Sequence, residues 1–406
     1  MDFSHSPKTL DYLARVKAFI AQHIAPIEDE VYQFLHEHNA HGDWTKWQLH
    51  PKVEALKVKA REAGLANLFL PDDHLGQGLT TLEYAPLAEE MGRYAFAPEI
   101  FNCNAPDTGN MEVLYHFGTQ AQKDQWLTPL LAGEIRSVFG MTEPQVASSD
   151  ATNMAAKIEF TGDDIVINGT KWWSTGLGHP NAKVIIFMGL SNPENDRHAQ
   201  HSMVLVPVDS EGLTIKRMLT AYGDYDAPYG HGEMVFDNVR VPRENLIMGE
   251  GKGFAIAQGR LGPGRIHHCM RAIGMAEHAL ELAIKRGLSR HAFSKPIIEL
   301  GGNKERIAEA RMAIEQSRLL TLQAAWKIDN LGVKHAMVDI SAIKVVVPNM
   351  LEKVVDMSLQ MHGGGGMSND FPLARFAAGA RTLRLADGPD EVHMAMVSRL
   401  ELRKYK

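Results

Sequence analysis

The chain has 406 residues, of which 45% are hydrophobic and 22% are charged, and its formal net charge is −7. This balance indicates a globular protein of two or three domains. Because acidic and basic residues are interspersed, it also argues against a nucleic-acid-binding stripe or a polybasic membrane patch. No apolar run reaches the roughly 18 residues of a membrane-spanning helix, so we expect no membrane span.

The first residues of the chain and its two cysteines indicate the cellular compartment. The first residues, "MDFSHSPKTL", contain an acid and none of the apolar stretch that a secretory signal has, so we expect no such signal. Cys103 and Cys269 lie far apart without a partner motif. A disulfide scaffold or a cysteine-based zinc site is therefore not expected, and no other metal site is predicted. Two unpaired cysteines fit a reducing compartment, and we expect a cytoplasmic location.

Three segments with different patterns follow one another along the chain. Residues 1–137 place apolar side chains at helical spacing, as in "LDYLARVKAFIAQHI". In residues 138–248, "KIEFTGDDIVINGTKWW" predicts three strands separated by turns, and "AKVIIFMGL" predicts a buried strand. Residues 249–406 return to long amphipathic helices, which "HGGGG" interrupts. The predicted fold class is α+β, with a middle β-domain between two helical parts.

Two stretches carry the clearest chemical signal, "FGMTEPQVASSD" (139–150) and "INGTKWWSTG" (167–176). Thr142 and Ser149 offer hydroxyls where a strand ends. Trp173 and Thr175 are two residues apart on a predicted strand and should share a face. An indole beside hydroxyl groups suits a flat heteroaromatic cofactor. The residues alone favour the alternative that the tryptophans belong to the core and the hydroxyls satisfy turns.

These two stretches resemble the flavin-binding segments of the acyl-CoA dehydrogenase family. Further fragments resemble that family in the family's own order and extend the likeness over nearly the whole chain: "LPDDHLGQGLTTLEYAPLAEEMGR", "HFGTQAQKDQWLTPLLAGE", "FDNVRVPRENLI" and "GEGKGFAIA". The resemblance implies an N-terminal helical domain (1–137), a middle β-barrel-like domain (138–248) and a C-terminal four-helix bundle (249–406).

The resemblance also implies FAD as cofactor and names its contacts. Thr142 and Thr175 would hydrogen-bond the O4–N5 edge of the flavin, and Trp173 would pack on its ring. The full set of implied FAD contacts is Met141, Thr142, Ser149, Trp173 and Thr175, joined from a neighbouring subunit by Arg290, Phe293, Gln360, Gly363 and Gly364. A homodimer or homotetramer is therefore implied.

Two departures from the family pattern affect the same cofactor site. The family's usual "TEPGAGSD" is here "TEPQVASSD", one residue longer and without its glycines. A glutamine that often contacts the dinucleotide is replaced by Gly301. Both changes predict an altered local contact with FAD.

The segment "RLADGPDEVH" (384–393) places a carboxylate, Asp387, where the family carries the glutamate that removes the substrate α-proton. The implied reaction is α,β-dehydrogenation of an acyl-CoA thioester to the trans-2-enoyl-CoA. Electrons would pass to an electron-transferring flavoprotein, as in fatty acid β-oxidation. The resemblance further implies Arg265, Ser149 and Gly388 as substrate contacts. The alternative for Asp387 is a helix cap, since Asp suits that position and Pro389 suits the first helical turn.

The pattern "ADGPDEVH" also occurs in a subgroup of the family that includes its members ten and eleven. Ala386 and Asp387 replace a tyrosine and a glutamate, which would leave room for a branched or 4-hydroxyacyl chain. Two alternatives stay open. One is a relative that gives electrons to oxygen, such as an acyl-CoA oxidase or a nitroalkane oxidase, which also uses an aspartate. The other is a non-enzymatic helical scaffold that has lost flavin.

Overall fold

Helices make up the first third of the chain. The computed structural model describes residues 4–405, apart from the side chains of residues 261–263. The helices before the sheet are α1 (Pro7–Phe19), α2 (Glu28–Asn39), α3 (Pro51–Glu62), α4 (Thr81–Gly92), α5 (Ala97–Ile100), α6 (Asp107–Phe117), α7 (Gln120–Gln122) and α8 (Thr128–Leu131). A reciprocal cap starts α4: the Thr80 hydroxyl accepts from the Glu83 N–H, and the Glu83 carboxylate accepts from the Thr80 N–H.

A seven-stranded sheet follows. Its strands are β1 (Arg136–Gly140), β2 (Lys157–Thr161), β3 (Asp164–Thr175), β4 (Ala182–Leu190), β5 (His201–Pro207), β6 (Leu213–Leu219) and β7 (His231–Pro242). Their order is β1-β4-β2-β3-β7-β6, and β5, outside this order, also pairs with β4. Both β1 and β2 run parallel to β4, whereas the other pairs are antiparallel.

The prediction of a turn inside "IVINGTKWW" is wrong, because β3 is one strand of 12 residues. The pairing of β3 with β7 is irregular between Ile167 and Gly169, and Gly169 has a φ of 146°. A Cβ at this glycine would lie 2.5 Å from the Cβ of Ala156. Glycine therefore lets the strand continue past a close neighbour where another residue would force the chain away.

The predicted buried strand "AKVIIFMGL" is confirmed as β4. Its five central residues, 184–188, have no exposed surface. Side chains from β4 join those of β3, β5 and β7 in one apolar core, into which Trp47 also packs. Burial on both sides explains why this run shows no alternation of apolar and polar residues.

Long helices return after the sheet. They are α9 (Gly253–Ser289), α10 (Asn303–Leu331), α11 (Met337–His362), α12 (Leu373–Leu383) and α13 (Asp390–Leu402), with a small hairpin of β8 (His291–Ala292) and β9 (Lys295–Pro296) after α9. Helix α11 packs against α10, α12 and α13. Helices α4 and α9 approach so closely that a Cβ at Gly274 would lie 1.8 Å from the Glu89 carbonyl oxygen.

The chain divides into two compact units. The helical unit consists of Met1–Gln33, Val58–Phe101 and Gly262–Lys406, and the sheet unit of Phe34–Lys57 and Asn102–Leu261. Both cysteines are buried, and neither forms a disulfide. Within residues 4–405, no helix combines the length and the apolar character that crossing a membrane requires. The order of helices, sheet and helices agrees with the predicted fold class. The residue bounds of the three predicted domains stay predictions.

Candidate active site

In the sheet unit, the loop after β1 is fastened to β3 by main-chain and side-chain bonds. The carbonyl of Thr142 accepts from the Trp172 N–H at 3.0 Å. The carbonyl of Met141 accepts from the Lys171 ammonium at 2.8 Å. Met141 and Thr142, both predicted to contact FAD, are therefore held at the end of a strand as expected.

A buried ion pair supports this loop. Glu143 lies 2.7 Å from the Lys171 Nζ, and the two side chains are only 3% and 0% exposed. The same carboxylate accepts from the N–H groups of Ala155 and Ala156 at 2.9 and 3.0 Å. Burial lowers the pKa of Lys171 to about 8, and the neighbouring carboxylate opposes that shift. The pair joins three separate segments of the sheet unit.

The altered turn "TEPQVASSD" has its own internal support. The Ser148 hydroxyl accepts from the Glu143 N–H at 2.9 Å. Ser149, the residue predicted to contact FAD and substrate, is exposed on the same turn. A serine thus holds a turn that contains no glycine.

Trp173 and Thr175 meet at one side chain, that of His231. The pairing of β3 with β7 is irregular between Lys171 and Ser174, and Trp173 has a φ of 51°, so simple alternation does not apply here. The His231 Nδ1 lies 2.9 Å from the Thr175 hydroxyl, and its ring centroid lies 5.6 Å from that of Trp173. The indole remains 40% exposed, which leaves part of its face accessible.

In the helical unit, Asp387 lies on a tight turn between α12 and α13. Asp387 and Gly388 both have left-handed backbones, with φ of 55° and 99°. The capping residue of α13 is Pro389, and the helix begins at Asp390. The alternative that Asp387 caps this helix is therefore wrong. Its carboxylate lies 3.3 Å from the His268 Nε2, and the side chain is 21% exposed.

Further cationic and polar groups surround that turn. Arg265 Nη2 and His393 Nε2 both donate to the Asp387 carbonyl at 3.2 Å. The Lys344 ammonium donates to the carbonyl of Leu383, at the end of α12. Together with the carboxylate they form what we term the acid cluster: Arg265, His268, Lys344, Asp387 and His393.

Burial governs the charges in the acid cluster. It lowers the pKa values of Arg265 and Lys344, and the negative charge of Asp387 opposes both shifts. Burial and the same two cations lower the pKa of His393 to about 4, so this imidazole is neutral near pH 7. The acid cluster therefore combines one carboxylate with two buried cations and a neutral imidazole, and Arg265 and His393 hold the turn through its carbonyl group.

Gly388, predicted to contact substrate, completes the turn. A Cβ at this position would lie 3.1 Å from His393 Nε2, and the left-handed φ already disfavours any other residue. Arg265, also predicted to contact substrate, is buried beneath the turn. The structure thus brings Arg265, Asp387 and Gly388 together.

The residues predicted to meet FAD from a neighbouring subunit lie elsewhere on the helical unit. Arg290 precedes the small hairpin, and Phe293 at its tip is 90% exposed. Gln360, Gly363 and Gly364 are exposed around the end of α11. A Cβ at Gly287, near the end of α9, would lie 3.0 Å from the Met361 sulfur and 3.1 Å from Ile298. The two predicted segments therefore adjoin the same packed region.

Several residues of these arrangements were not predicted from the sequence: Glu143, Ser148, Lys171, His231, His268, Lys344 and His393. Lys171, His231, His268 and His393 contact predicted residues from a distant part of the chain or from the other side of a turn. Glu143 and Ser148 support the loop after β1, and Lys344 binds the end of α12. The sequence does contain one signal for such a contact, a lysine, Lys171, within a predicted strand. Because lysine is rarely fully buried unless it is paired, a buried position there would require a partner.

Comparison with known proteins identifies the family. Family models described as the N-terminal, middle and C-terminal domains of acyl-CoA dehydrogenase match residues 6–134, 138–239 and 251–401. Acyl-CoA dehydrogenase family member 10 of Mus musculus is 51% identical over 403 residues, which are 98% of this chain and 37% of that protein. Family member 11 of Gallus gallus is 51% identical over 402 residues, 98% of this chain and 51% of that protein.

The solved structures agree. The structure of an acyl-CoA dehydrogenase family protein from Mycobacterium abscessus has 58% sequence identity and a TM-score of 0.97, with 100% of both chains covered. The present chain spans about half the length, or less, of the family member 10 and 11 relatives that it matches. The three domain models together cover most of its length, in order, and the chain therefore belongs to the acyl-CoA dehydrogenase family.

Proposed function

We propose that the protein is a FAD-dependent acyl-CoA dehydrogenase that converts an acyl-CoA thioester to the trans-2-enoyl-CoA. The observation that supports this proposal is the turn that carries Asp387, a carboxylate within the acid cluster. The sequence resemblance aligns this residue with the family's base. Family membership supports the reaction class. Bound FAD supplies the acceptor for the hydride that leaves the β-carbon.

The side chains of the sheet unit fit a flavin. A flat heteroaromatic ring needs an apolar surface and a few polar groups at its edge. The partly exposed indole of Trp173 offers the surface, and the hydroxyls of Thr142 and Thr175 offer the edge contacts. The Lys171–Glu143 pair fixes the loop that carries Met141 and Thr142. Ser149, exposed on the adjoining turn, would bind the cofactor or the thioester.

Asp387 accepts the α-proton. A thioester α-C–H is a weak acid, so its removal needs a positioned base. Aspartate is one methylene shorter than the family's glutamate, and the reach of the base is correspondingly less, by about 1.5 Å. The bonds from Arg265 and His393 to the Asp387 carbonyl hold the backbone of the turn, which limits where this short side chain can point.

The substrate class follows from the residues at the turn. Ala386 carries no ring where the family usually has a tyrosine, and it is exposed. A small side chain beside the base leaves space around the acyl chain. We therefore propose a branched or 4-hydroxyacyl-CoA as substrate, with Arg265 and Gly388 near the thioester end and an electron-transferring flavoprotein as electron acceptor.

The test is an anaerobic titration of the purified protein with a panel of acyl-CoA esters, in which loss of the oxidised flavin absorbance reports reduction. We expect bleaching by acyl-CoA and a preference for 4-hydroxy or branched chains over straight chains of equal length. A preference for straight chains would remove the substrate proposal alone. A protein that binds FAD but is bleached by none of the esters would contradict the dehydrogenase proposal.

The electron acceptor needs a separate measurement. Oxygen consumption during turnover in air distinguishes a dehydrogenase from an oxygen-using relative. We expect turnover with an electron-transferring flavoprotein and little oxygen uptake. Rapid stoichiometric oxygen uptake would instead assign the protein to the oxidases of the family.

A further inference from the structure

Three side chains of the sheet unit form a row from a carboxylate to a hydroxyl. Asp226 Oδ2 lies 3.5 Å from His231 Nε2, and His231 Nδ1 lies 2.9 Å from the Thr175 Oγ1. Thr175 ends β3, His231 begins β7, and the two residues are directly paired between these strands. The sheet register therefore brings the imidazole against the hydroxyl.

The main chain that carries the carboxylate at the other end of this row is held by hydrogen bonds. Asp226 has a left-handed φ of 53°, and its N–H donates to the Asp224 carboxylate at 3.0 Å. Its carbonyl accepts from the N–H groups of Tyr229 and Gly230, each at 3.1 Å. The imidazole itself is buried. These bonds hold the main chain of the turn, from which the Asp226 carboxylate reaches to 3.5 Å from the His231 Nε2.

This row determines how the Thr175 hydroxyl is used. A hydroxyl has one hydrogen to donate and two lone pairs that accept. A carboxylate beside one ring nitrogen of a neutral histidine favours the proton on that nitrogen, and the other nitrogen becomes an acceptor. With the proton on Nε2 facing Asp226, Nδ1 accepts the Thr175 hydrogen. The hydroxyl then presents only lone pairs to any other partner.

We propose that His231, oriented by Asp226, is a positioning residue that sets the direction of the Thr175 hydroxyl toward the flavin. This inference rests on the proposed FAD function. Oxidised flavin carries a hydrogen-bond acceptor at N5, and reduced flavin carries an N–H there. A Thr175 hydroxyl that offers lone pairs matches the reduced form. His231 thereby stabilises bound reduced FAD relative to bound oxidised FAD.

Replacing His231 with leucine should reverse this preference. The freed Thr175 hydroxyl can then donate to oxidised FAD. We expect the ratio of affinities for reduced and oxidised FAD to fall about tenfold, which corresponds to a midpoint potential about 30 mV lower for a two-electron couple. The measurement is a spectroelectrochemical titration of the FAD-loaded protein, with the potential as readout.

Two further variants separate positioning from general structural damage. In His231→Asn the amide occupies the place of Nδ1 and can still accept from Thr175, so the potential should stay near that of the wild type. In His231→Gln the amide extends toward Asp226 instead, and the potential should fall as in His231→Leu. Equal potentials for the Asn and Gln variants would overturn the proposal, including when the leucine variant fails to fold.

A double-mutant cycle tests whether His231 acts through Thr175. In a Thr175→Val background, His231→Leu should have no further effect on the potential. An undiminished shift in that background would contradict the proposal. A wild-type protein that binds no FAD would remove the proposed function, and this inference with it. Normal FAD binding with an unchanged potential in His231→Leu would remove this inference alone.

Discussion

At the scale of single residues, Asp387 differs from an ordinary surface carboxylate in its surroundings. Its backbone is left-handed, its carbonyl accepts two hydrogen bonds from buried side chains, and its carboxylate faces His268. Aspartate tolerates a left-handed backbone better than most residues, which is consistent with its place on this turn. The proposed base is thus held by its main chain as well as by its side chain.

Asp387→Asn should leave FAD binding intact and slow flavin reduction by acyl-CoA about 10²- to 10⁴-fold, the usual contribution of a general base. The amide keeps the shape of the side chain but cannot accept the proton. Stopped-flow absorbance under anaerobic conditions measures the rate. Asp387→Glu is the matched control and should retain reduction, since it keeps the carboxylate. Reduction of the asparagine variant at the wild-type rate would show that another group is the base.

Glu112 is a buried acid of the sheet unit, and burial raises its pKa to about 8. Arg260 opposes this shift without abolishing it, and one carboxyl oxygen, Oε2, has no hydrogen-bond partner. In the unfolded chain this group ionises near its ordinary value of 4.5. Its contribution to stability is therefore complete below that pH and is lost as the pH rises toward about 8.

Glu112→Gln should accordingly remove a pH dependence from the stability of the protein. Between pH 5 and pH 8, denaturant unfolding of the wild type should show a fall of a few kcal/mol that the variant lacks. The variant should therefore gain stability relative to the wild type as the pH rises. If the difference in free energy of unfolding between wild type and variant stayed constant from pH 5 to pH 8, Glu112 would not titrate in this way.

At the scale of elements, the Glu143–Lys171 pair explains how a strand and two loops are held together. Lys171 projects from β3, Glu143 follows β1, and the carboxylate also binds the chain just before β2. Removing one member of a buried pair leaves the other charge without compensation, which costs far more than the pair itself contributes. Such a pair therefore fixes geometry more than it adds stability.

Lys171→Met should lower the free energy of unfolding by about 3–5 kcal/mol and weaken FAD binding, because the Met141 carbonyl loses its donor. Arg217→Met is the matched control. Arg217 pairs with Glu233 at 2.7 Å in the same sheet but is 61% exposed, so its loss should cost about 0–1 kcal/mol. Denaturant unfolding measures both. Adding Glu143→Gln to Lys171→Met should restore part of the lost stability, because the unpaired buried charge is removed. Similar losses of stability in Lys171→Met and Arg217→Met would contradict this account.

At the scale of the whole molecule, the small hairpin after α9 presents an aromatic side chain to solvent. Phe293 and Ser294 form its tip with left-handed backbones, and Phe293 is 90% exposed. The exposed ring is available to contact another molecule. It fits the proposal that Arg290 and Phe293 reach the FAD of a neighbouring subunit.

Arg290→Ala should weaken FAD binding by about 10- to 150-fold, since a charge-assisted bond to phosphate contributes about 1.5–3 kcal/mol. Lys295→Ala, which removes an exposed cation from the same hairpin, should leave the affinity unchanged. Isothermal titration of the apoprotein with FAD, together with the mass measured by light scattering, tests both the contact and the oligomer. Equal affinity for wild type and Arg290→Ala, or a monomeric FAD-bound protein, would count against a cofactor shared between subunits.

The sequence by itself determined the order of elements and the identity of the chemical groups. The spacing of apolar residues and the length of each apolar run distinguished the helical parts from the β-domain. A helix or strand that is buried on one face, or a strand buried on both, shows a characteristic local pattern of apolar residues. The motif around Asp387 predicted the turn, and the resemblance of the stretches around Thr142 and Trp173 to the family implied the candidate flavin contacts. Each of these signals lies within about a dozen consecutive residues.

Only the tertiary structure decided which groups touch. His231 and Thr175 are 56 positions apart, and Arg265 and Asp387 are 122 positions apart. Such partners leave no periodic trace in the chain, because they are brought together by sheet register and helix packing. The same reason explains the missed continuity of β3, where the close approach of Ala156, not the local Asn-Gly pair, determines the path at Gly169. The local Asn-Gly sequence favours a turn at this position, but packing against neighbouring segments keeps the strand continuous.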